Sequence, residues 1–141
     1  MAEISKSRPG ENMRLLDALQ YPLPVGGILS ILHRVSGVIM FLLLPFVIWM
    51  FDTSVTSEIS FDQFASAFTA GIGFVPGFLV KVVALGLIWA YLHHVFAGLR
   101  HVWMDVTHSV TKEFGRSSAI AAFAISLGLT AVLGAKLFGL Y

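Results

Sequence analysis

The run His93-His94-Val95-Phe96-Ala97-Gly98-Leu99-Arg100-His101 closes a long apolar stretch with three histidines and an arginine. Ionisable residues inside a membrane span are costly and usually functional. In a helix, His94 and His101 share one face two turns apart, while His93 points about 100° away. Gly98 lies between them, where a missing side chain lets a flat group approach the backbone. The pattern predicts a haem-binding site with His94 as the iron ligand. The alternative is that His94 makes only a polar contact between helices.

The composition is that of a small membrane domain. The chain has 141 residues, of which 57% are hydrophobic and 12% charged, against about 25% charged in soluble domains. The mean hydropathy is +0.84. The net charge of +1 offers no bulk attraction for nucleic acid, so nucleic acid is not an expected partner. The absence of cysteine excludes disulfides, iron–sulfur clusters and covalently attached c-type haem from this chain.

The distribution of apolar residues predicts an all-α membrane protein with three transmembrane helices, at about residues 28–51, 78–103 and 117–138. Together they would form an anchor domain of residues 28–141, preceded by an N-terminal arm of residues 1–27. The polar first twenty residues lack the apolar core of a cleavable signal peptide, so none is expected. Pro45 is expected to kink the first span. Phe61, Phe64 and Phe68 recur at helical spacing and predict a short amphipathic helix before the second span.

The third span carries a small residue at every fourth position. Small residues at this spacing let membrane helices approach closely, which predicts a packing face. Chance spacing in an alanine-rich span is the alternative. The residues are Ser118, Ala122, Ser126, Thr130 and Gly134.

Basic residues predict the orientation of the chain. They occur in the arm and in the second loop but not in the first loop, so the positive-inside rule places the N-terminus in the cytoplasm. His33 and Arg34 in the first span would then lie on the same side as Arg100 and His101 in the second. Counting residues from the span ends makes His94 the deepest histidine apart from its neighbour His93. A six-coordinate haem would therefore need its second ligand from another chain, and the arginines and shallower histidines would meet its propionates.

Two motifs together carry a resemblance to a known family. Ser30-Ile-Leu-His-Arg-Val-Ser-Gly37 is followed some sixty residues later by a histidine motif, His94-x-x-x-Gly-x-Arg-His101-x-x-x-Asp105. The pair resembles the cytochrome b membrane-anchor subunit of succinate dehydrogenase, respiratory complex II, and the length and three-span plan also fit. Tyr21-Pro22 and the spacing up to Ser30 look like the bacterial form, which implies a bacterial inner (cytoplasmic) membrane.

The resemblance implies a role for each matching position. His94 matches the axial ligand of haem b. Ser30 and Arg34 match residues that line the ubiquinone pocket, and His33, Arg34 and His101 match positions near the haem propionates. A sister anchor subunit would supply the second axial histidine within a hetero-oligomeric helix bundle. FAD and the iron–sulfur clusters would reside in a flavoprotein subunit and an iron–sulfur subunit, so the chain would not itself oxidise succinate.

Several alternatives stay open on the sequence alone. The chain could be a fumarate reductase-type anchor, a homodimeric cytochrome with one His94 from each copy on a shared haem, or a haem-free scaffold. Ser30 could bond back to its own helix, and Arg34 could be an interfacial cation. His93 could serve packing alone, and no role is assigned to it.

Overall fold

The computed structural model describes residues 22–141, so most of the predicted N-terminal arm lies outside the described residues. Five α-helices follow one another in this part of the chain, and no strand longer than an isolated bridge occurs there. They are α1 (Val25–Leu42), α2 (Leu44–Val55), α3 (Glu58–Ala67), α4 (Gly77–Thr107) and α5 (Lys112–Leu137). Three of them, α1, α4 and α5, are long and apolar enough to cross a membrane. The expected all-α membrane fold with three spans is confirmed.

The first predicted span is two helices rather than one. Leu43 interrupts it with φ −90° and ψ 4°, and Pro45 lies in the first turn of α2. Proline cannot donate a backbone hydrogen bond to Phe41 and is well tolerated in a first helical turn. The expected kink is therefore a full break. The span also begins three residues earlier than predicted, directly after Pro24.

The short helix expected from the phenylalanine spacing is α3. Ser57 caps it with a reciprocal pair of bonds, in which its Oγ accepts from Ser60 N and its backbone N–H donates to Ser60 Oγ. Helix α2 packs on α3 and not on α4 or α5. The space left between α2 and the long helices α4 and α5 is a cavity of about 630 Å³, with apolar walls that include Phe64 and Phe68 of the α3 region.

A tight turn returns the chain to the membrane between α3 and α4. Gly71 has φ +102°, and a Cβ there would lie 2.1 Å from the carbonyl oxygen of Val75. Gly77 starts α4 against the carbonyl oxygen of Thr69, at 2.6 Å from the position of a Cβ. Both positions need glycine because the backbone leaves no room for a side chain.

Helix α4 is the centre of the bundle and packs on both α1 and α5. Its 31 residues span about 46 Å, so it extends beyond a ~30 Å hydrocarbon core. It continues four residues beyond the predicted end and stops at His108, which adopts a left-handed conformation with φ 53°. Helix α5 begins five residues before the predicted start, where the Thr111 hydroxyl accepts from Phe114 N. The second loop is correspondingly short.

The predicted packing face of α5 faces this chain's own helices. Ala122 and Ser126 are buried, and a Cβ at Gly134 would lie 2.7 Å from Cδ1 of Leu85 on α4. The core where α1, α4 and α5 meet consists mainly of small residues, with one large side chain. It contains Leu29, Ala97, Ala119 and Ala122. Most larger apolar side chains on the three spans are exposed, as contact with lipid or with other membrane helices requires.

Candidate functional site

Three imidazoles meet where α1 crosses α4. The rings of His33 and His94 stack with their centroids 4.0 Å apart and their planes 18° from parallel. The ring of His101 meets that of His33 edge-on at 5.5 Å. His94 and His101 lie on the same face of α4, as their seven-residue spacing predicts.

Hydrogen bonds from α1 fix the orientation of the His94 ring. Its Nδ1 lies 3.0 Å from the backbone carbonyl oxygen of His33 and 3.1 Å from Oγ of Ser36. The Ser36 hydroxyl itself donates to the same carbonyl at 2.7 Å. A carbonyl cannot donate, so Nδ1 of His94 carries the hydrogen and Nε2 of the neutral ring keeps its lone pair. Metal-ligating histidines typically donate their other N–H to a carbonyl in this way.

Two glycines allow the close approach of the helices. A Cβ on Gly37 of α1 would lie 3.1 Å from Cε1 of His94, so this glycine lets the imidazole press against α1. A Cβ on Gly98 of α4 would lie 3.4 Å from Nε2 of His33. Gly98 therefore does lie beside a flat group, and in this structure that group is the His33 imidazole.

The depth difference expected between His33 and His94 is not found, because their rings are in direct contact. Residue counts from span ends place side chains only approximately. Counted from the observed ends, His33 is eight residues inside α1 and His94 is thirteen residues inside α4, so their rings can meet only because the two helix ends are not level with each other. The stacked arrangement also presents the two imidazoles side by side. Nearly parallel rings in contact cannot ligate opposite faces of one iron.

Ser30 and Arg34 lie one turn apart on α1, as their spacing predicts. Ser30 is half-buried and Arg34 is exposed. The side-chain hydrogen bonds that α1 makes with residues 22–141 join Ser36, His33 and His94, and none involves Ser30 or Arg34. The serine that bonds back to its own helix is Ser36 rather than Ser30.

Arg100 does not join the imidazole cluster. Its Nε donates to Oγ of Ser118 at 2.9 Å and its Nη2 donates to the carbonyl oxygen of Gly115 at 3.0 Å. Position 100 lies about 120° around α4 from His94, so Arg100 faces α5 and stands apart from the three imidazoles.

His93 also faces α5, as its 100° offset from His94 predicts. It is 1% exposed and lies between Trp89 and Phe123, whose ring centroids are 5.3 and 5.4 Å from its own. Neither ring nitrogen makes a hydrogen bond of standard geometry within the described chain. This environment fits a packing role.

Ser36 and Gly37 are the residues whose contacts with His94 were not anticipated. Both residues belong to the motif that begins at Ser30. The sequence therefore marked their positions, but it did not indicate that they contact His94 on α4. No group of three or more histidine, cysteine, aspartate or glutamate side chains within residues 22–141 is arranged to chelate a metal ion. The imidazole cluster thus offers one oriented ligand rather than a chelating set.

The chain is similar to known membrane-protein subunits. The family described as Succinate dehydrogenase/Fumarate reductase transmembrane subunit matches residues 10–133. The succinate dehydrogenase cytochrome b556 subunit of Coxiella burnetii is 31% identical over 111 residues, which cover 79% of this chain and 84% of that protein. The subunit of the same name from Paracoccus denitrificans is 30% identical over 130 residues, which cover 92% of both chains.

The three apolar spans and the similarity to cytochrome b556 subunits define the class of multi-span membrane cytochrome subunits. Within that class, the chain belongs to the succinate dehydrogenase/fumarate reductase transmembrane subunit family, among the cytochrome b membrane anchors of succinate dehydrogenase.

Proposed function

We propose that the chain binds haem b through Nε2 of His94 and helps to form the ubiquinone-reduction site of a succinate dehydrogenase. One observation carries the haem assignment, which is the 3.0 Å contact between Nδ1 of His94 and the His33 carbonyl oxygen. It leaves Nε2 as the nitrogen able to donate its lone pair to iron. The relatives in Coxiella burnetii and Paracoccus denitrificans are named cytochrome b556 subunits, which supports a b-type haem.

A second anchor subunit would supply the other axial ligand. His33 stacks beside His94, and His101 meets His33 edge-on, so neither imidazole faces His94 across the position of an iron. His33, Arg34 and His101 would instead bind the haem propionates, since cationic and N–H-bearing groups pair well with carboxylates. Gly98 keeps the backbone of α4 open beside them. When bound, the haem would supply one-electron redox chemistry.

Ser30 and Arg34 would bind ubiquinone. A quinone oxygen gains negative charge during reduction, and donors placed for that charge lower the barrier. The backbone positions of Ser30 and Arg34 are one turn apart on α1, a rise of about 6 Å, and share one face of the helix. Neither is engaged by another side chain in the described part of the chain. They can therefore hold and orient a quinone head group at this end of the span.

Succinate oxidation would take place in partner subunits. A flavoprotein with FAD and an iron–sulfur protein would dock on the cytoplasmic side, and this chain would hold them at a bacterial inner membrane with its own N-terminus in the cytoplasm. Lys and Arg occur in the arm and in the first turns of α5 but not between α2 and α4, which supports that orientation.

Purification of the tagged chain in mild detergent, with a reduced-minus-oxidised spectrum and mass analysis of the associated proteins, tests this function. A b-type spectrum together with a flavoprotein, an iron–sulfur protein and a second small membrane protein is expected. A b-type spectrum with this chain alone would favour a homodimeric cytochrome. Absence of both haem and soluble partners would leave a membrane scaffold.

A further inference from the structure

The side chain of Arg100 extends from α4 towards the start of α5 and the start of α1. On the α5 side, its Nε donates to Oγ of Ser118 at 2.9 Å and its Nη2 donates to the carbonyl oxygen of Gly115 at 3.0 Å. On the α1 side, the same Nη2 lies 3.3 Å from the position that a Cβ on Gly26 would take. One side chain of α4 therefore bonds to α5 and packs against the backbone of α1.

Two glycines make room for this contact. A Cβ on Gly26 would also lie 3.7 Å from the carbonyl oxygen of Gly115, and a Cβ on Gly115 would lie 3.9 Å from Nη2 of Arg100. The guanidinium and the two glycine backbones are thus closely packed. The apolar core that includes Leu29 and Ala119 begins about one turn further along α1 and α5. The contact at Arg100 forms the layer of the bundle next to that core.

The hydrogen bonds of Arg100 fix its guanidinium on α5. One acceptor is the backbone of Gly115, and the other is the hydroxyl of Ser118, which itself donates to the carbonyl oxygen of Phe114 at 2.7 Å. The guanidinium makes both bonds with one rigid planar group, whereas a lysine has the same charge but no planar fork. The surface against which Gly26 packs therefore depends on an arginine at this position and not on a positive charge alone.

Gly26 lies on the same side of α1 as the proposed quinone residues. Ser30 follows one turn later and Arg34 two turns later, at the four-residue spacing that places residues along one side of a helix. Helix α1 runs from Val25 to Leu42 without a break. A shift of its first turn is therefore carried to Ser30, which is about 6 Å further along the helix axis.

We propose that Arg100 is a positioning residue for the quinone site, because it holds the start of α1 where Ser30 and Arg34 can bind ubiquinone. This inference rests on the proposed function. Arg100 acts through its bonds to α5 and its packing against Gly26, and it does not contact the quinone. Leu29 is fully buried and keeps α1 in the bundle, so the loss of Arg100 should displace the helix rather than release it.

Steady-state kinetics of Arg100→Lys test this proposal in the tagged chain purified with its associated subunits. The variant keeps the charge but cannot make both bonds to α5, and it should lower kcat/KM for ubiquinone roughly tenfold. This is less than the ~100-fold that a 1 Å misplacement can cost, because Leu29 still packs in the core. The loss should appear mainly in KM, since displaced donors bind substrate and transition state less well alike. Electron transfer to an artificial acceptor that bypasses quinone should be unchanged.

A matched pair of glycine variants tests the same contact while Arg100 is kept. Gly26→Ala places a methyl group 3.3 Å from Nη2 of Arg100, closer than an ordinary contact, and should raise the KM for ubiquinone by a smaller factor than Arg100→Lys. Gly27→Ala places a methyl group at an ordinary 3.6 Å from Pro24 and should have wild-type kinetics. Both changes restrict the unfolded chain in the same way, so that effect cancels in the comparison. This pair carries the test if Arg100→Lys does not assemble.

Ser30→Ala, assayed beside these variants, separates this inference from the proposed function. If Arg100 acts through Ser30, Arg100→Lys should cost less in the Ser30→Ala background than in wild type, because the two changes affect one contact with the quinone. Wild-type kinetics of Arg100→Lys beside a slow Ser30→Ala would overturn the positioning role alone. Equal kinetics of the two glycine variants, or an equal loss of Arg100→Lys with ubiquinone and with the artificial acceptor, would also overturn it. Wild-type kinetics of Ser30→Ala would overturn the quinone role of Ser30, and this inference with it.

Discussion

The backbone carbonyl of His33 on α1 accepts a hydrogen bond from Nδ1 of His94 on α4, at 3.0 Å. This contact joins the two motifs that lie some sixty residues apart in the chain. It determines which nitrogen of His94 is free, and it orients that nitrogen through a rigid backbone group. The haem proposal and three of the predictions below depend on it.

Removal of the Ser36 hydroxyl should loosen the His94 ring without removing it. Ser36 donates to the carbonyl that His94 also uses, and its Oγ is 3.1 Å from Nδ1 of His94. We expect Ser36→Ala to lower haem affinity roughly tenfold or to shift the midpoint potential measurably, because partners of a metal ligand typically affect affinity by about 10–100-fold. Redox titration of the purified protein measures this effect. Ser36→Thr, which keeps the hydroxyl, should restore wild-type behaviour, and a titration of Ser36→Ala identical to wild type would argue against this positioning role.

A methyl group at Gly37 should push His94 out of place. The added Cβ would lie 3.1 Å from Cε1 of the imidazole, closer than ordinary van der Waals contact. Gly37→Ala is expected to change the reduced haem spectrum while the three-span fold is retained. Gly86→Ala provides a control on α4, since a Cβ there meets nothing within 4 Å. Equal spectra for the two variants would contradict the close approach of His94 to Gly37.

The loss of the Ser30 hydroxyl should slow quinone reduction selectively. Ser30 makes no side-chain hydrogen bond within the described residues, so its removal should leave the protein folded. We expect the rate of ubiquinone reduction by Ser30→Ala to fall on the order of a hundredfold if the hydroxyl donates to the developing charge. Electron transfer to an artificial acceptor that bypasses quinone is the control and should be unchanged. A parallel fall in both rates would mean that Ser30 has a structural role.

Bulk on the packing face of α5 should separate α5 from α4. A Cβ at Gly134 would lie 2.7 Å from Cδ1 of Leu85, whereas a Cβ at Gly128 on the same helix meets nothing within 4 Å. Gly134→Leu is expected to destabilise the protein by about 1–3 kcal/mol, the usual cost of overpacking, and Gly128→Leu should not. Thermal unfolding in detergent compares the two variants. Equal unfolding temperatures would show that the contact with Leu85 is easily relieved.

The three spans and the face shared by His94 and His101 could be predicted because each depends on local composition or on rotation within one helix. A disturbance at Pro45 could be predicted for the same reason, although it is a break between two helices and not a kink within one. The rotation also placed His93 away from that face, although it did not predict which residues His93 contacts. The contacts of Arg100 with α5 were not predicted. The His33–His94 stack could not be predicted, because contact between helices depends on their relative shift along the membrane. Residue counts within each span do not contain that shift. The part played by Ser36 was missed for the same reason, since its partner lies on another helix.

The most direct test of the central claim replaces each of two neighbouring histidines by phenylalanine. His93 is buried between aromatic rings without a hydrogen bond of standard geometry in the described structure, so His93→Phe should keep the shape of the core. His94→Phe removes the nitrogen assigned to iron. A reduced-minus-oxidised spectrum of each purified variant should show b-type haem in His93→Phe and a lost or strongly shifted haem signal in His94→Phe. An unchanged b-type spectrum in His94→Phe would contradict the assignment of His94 as the axial ligand.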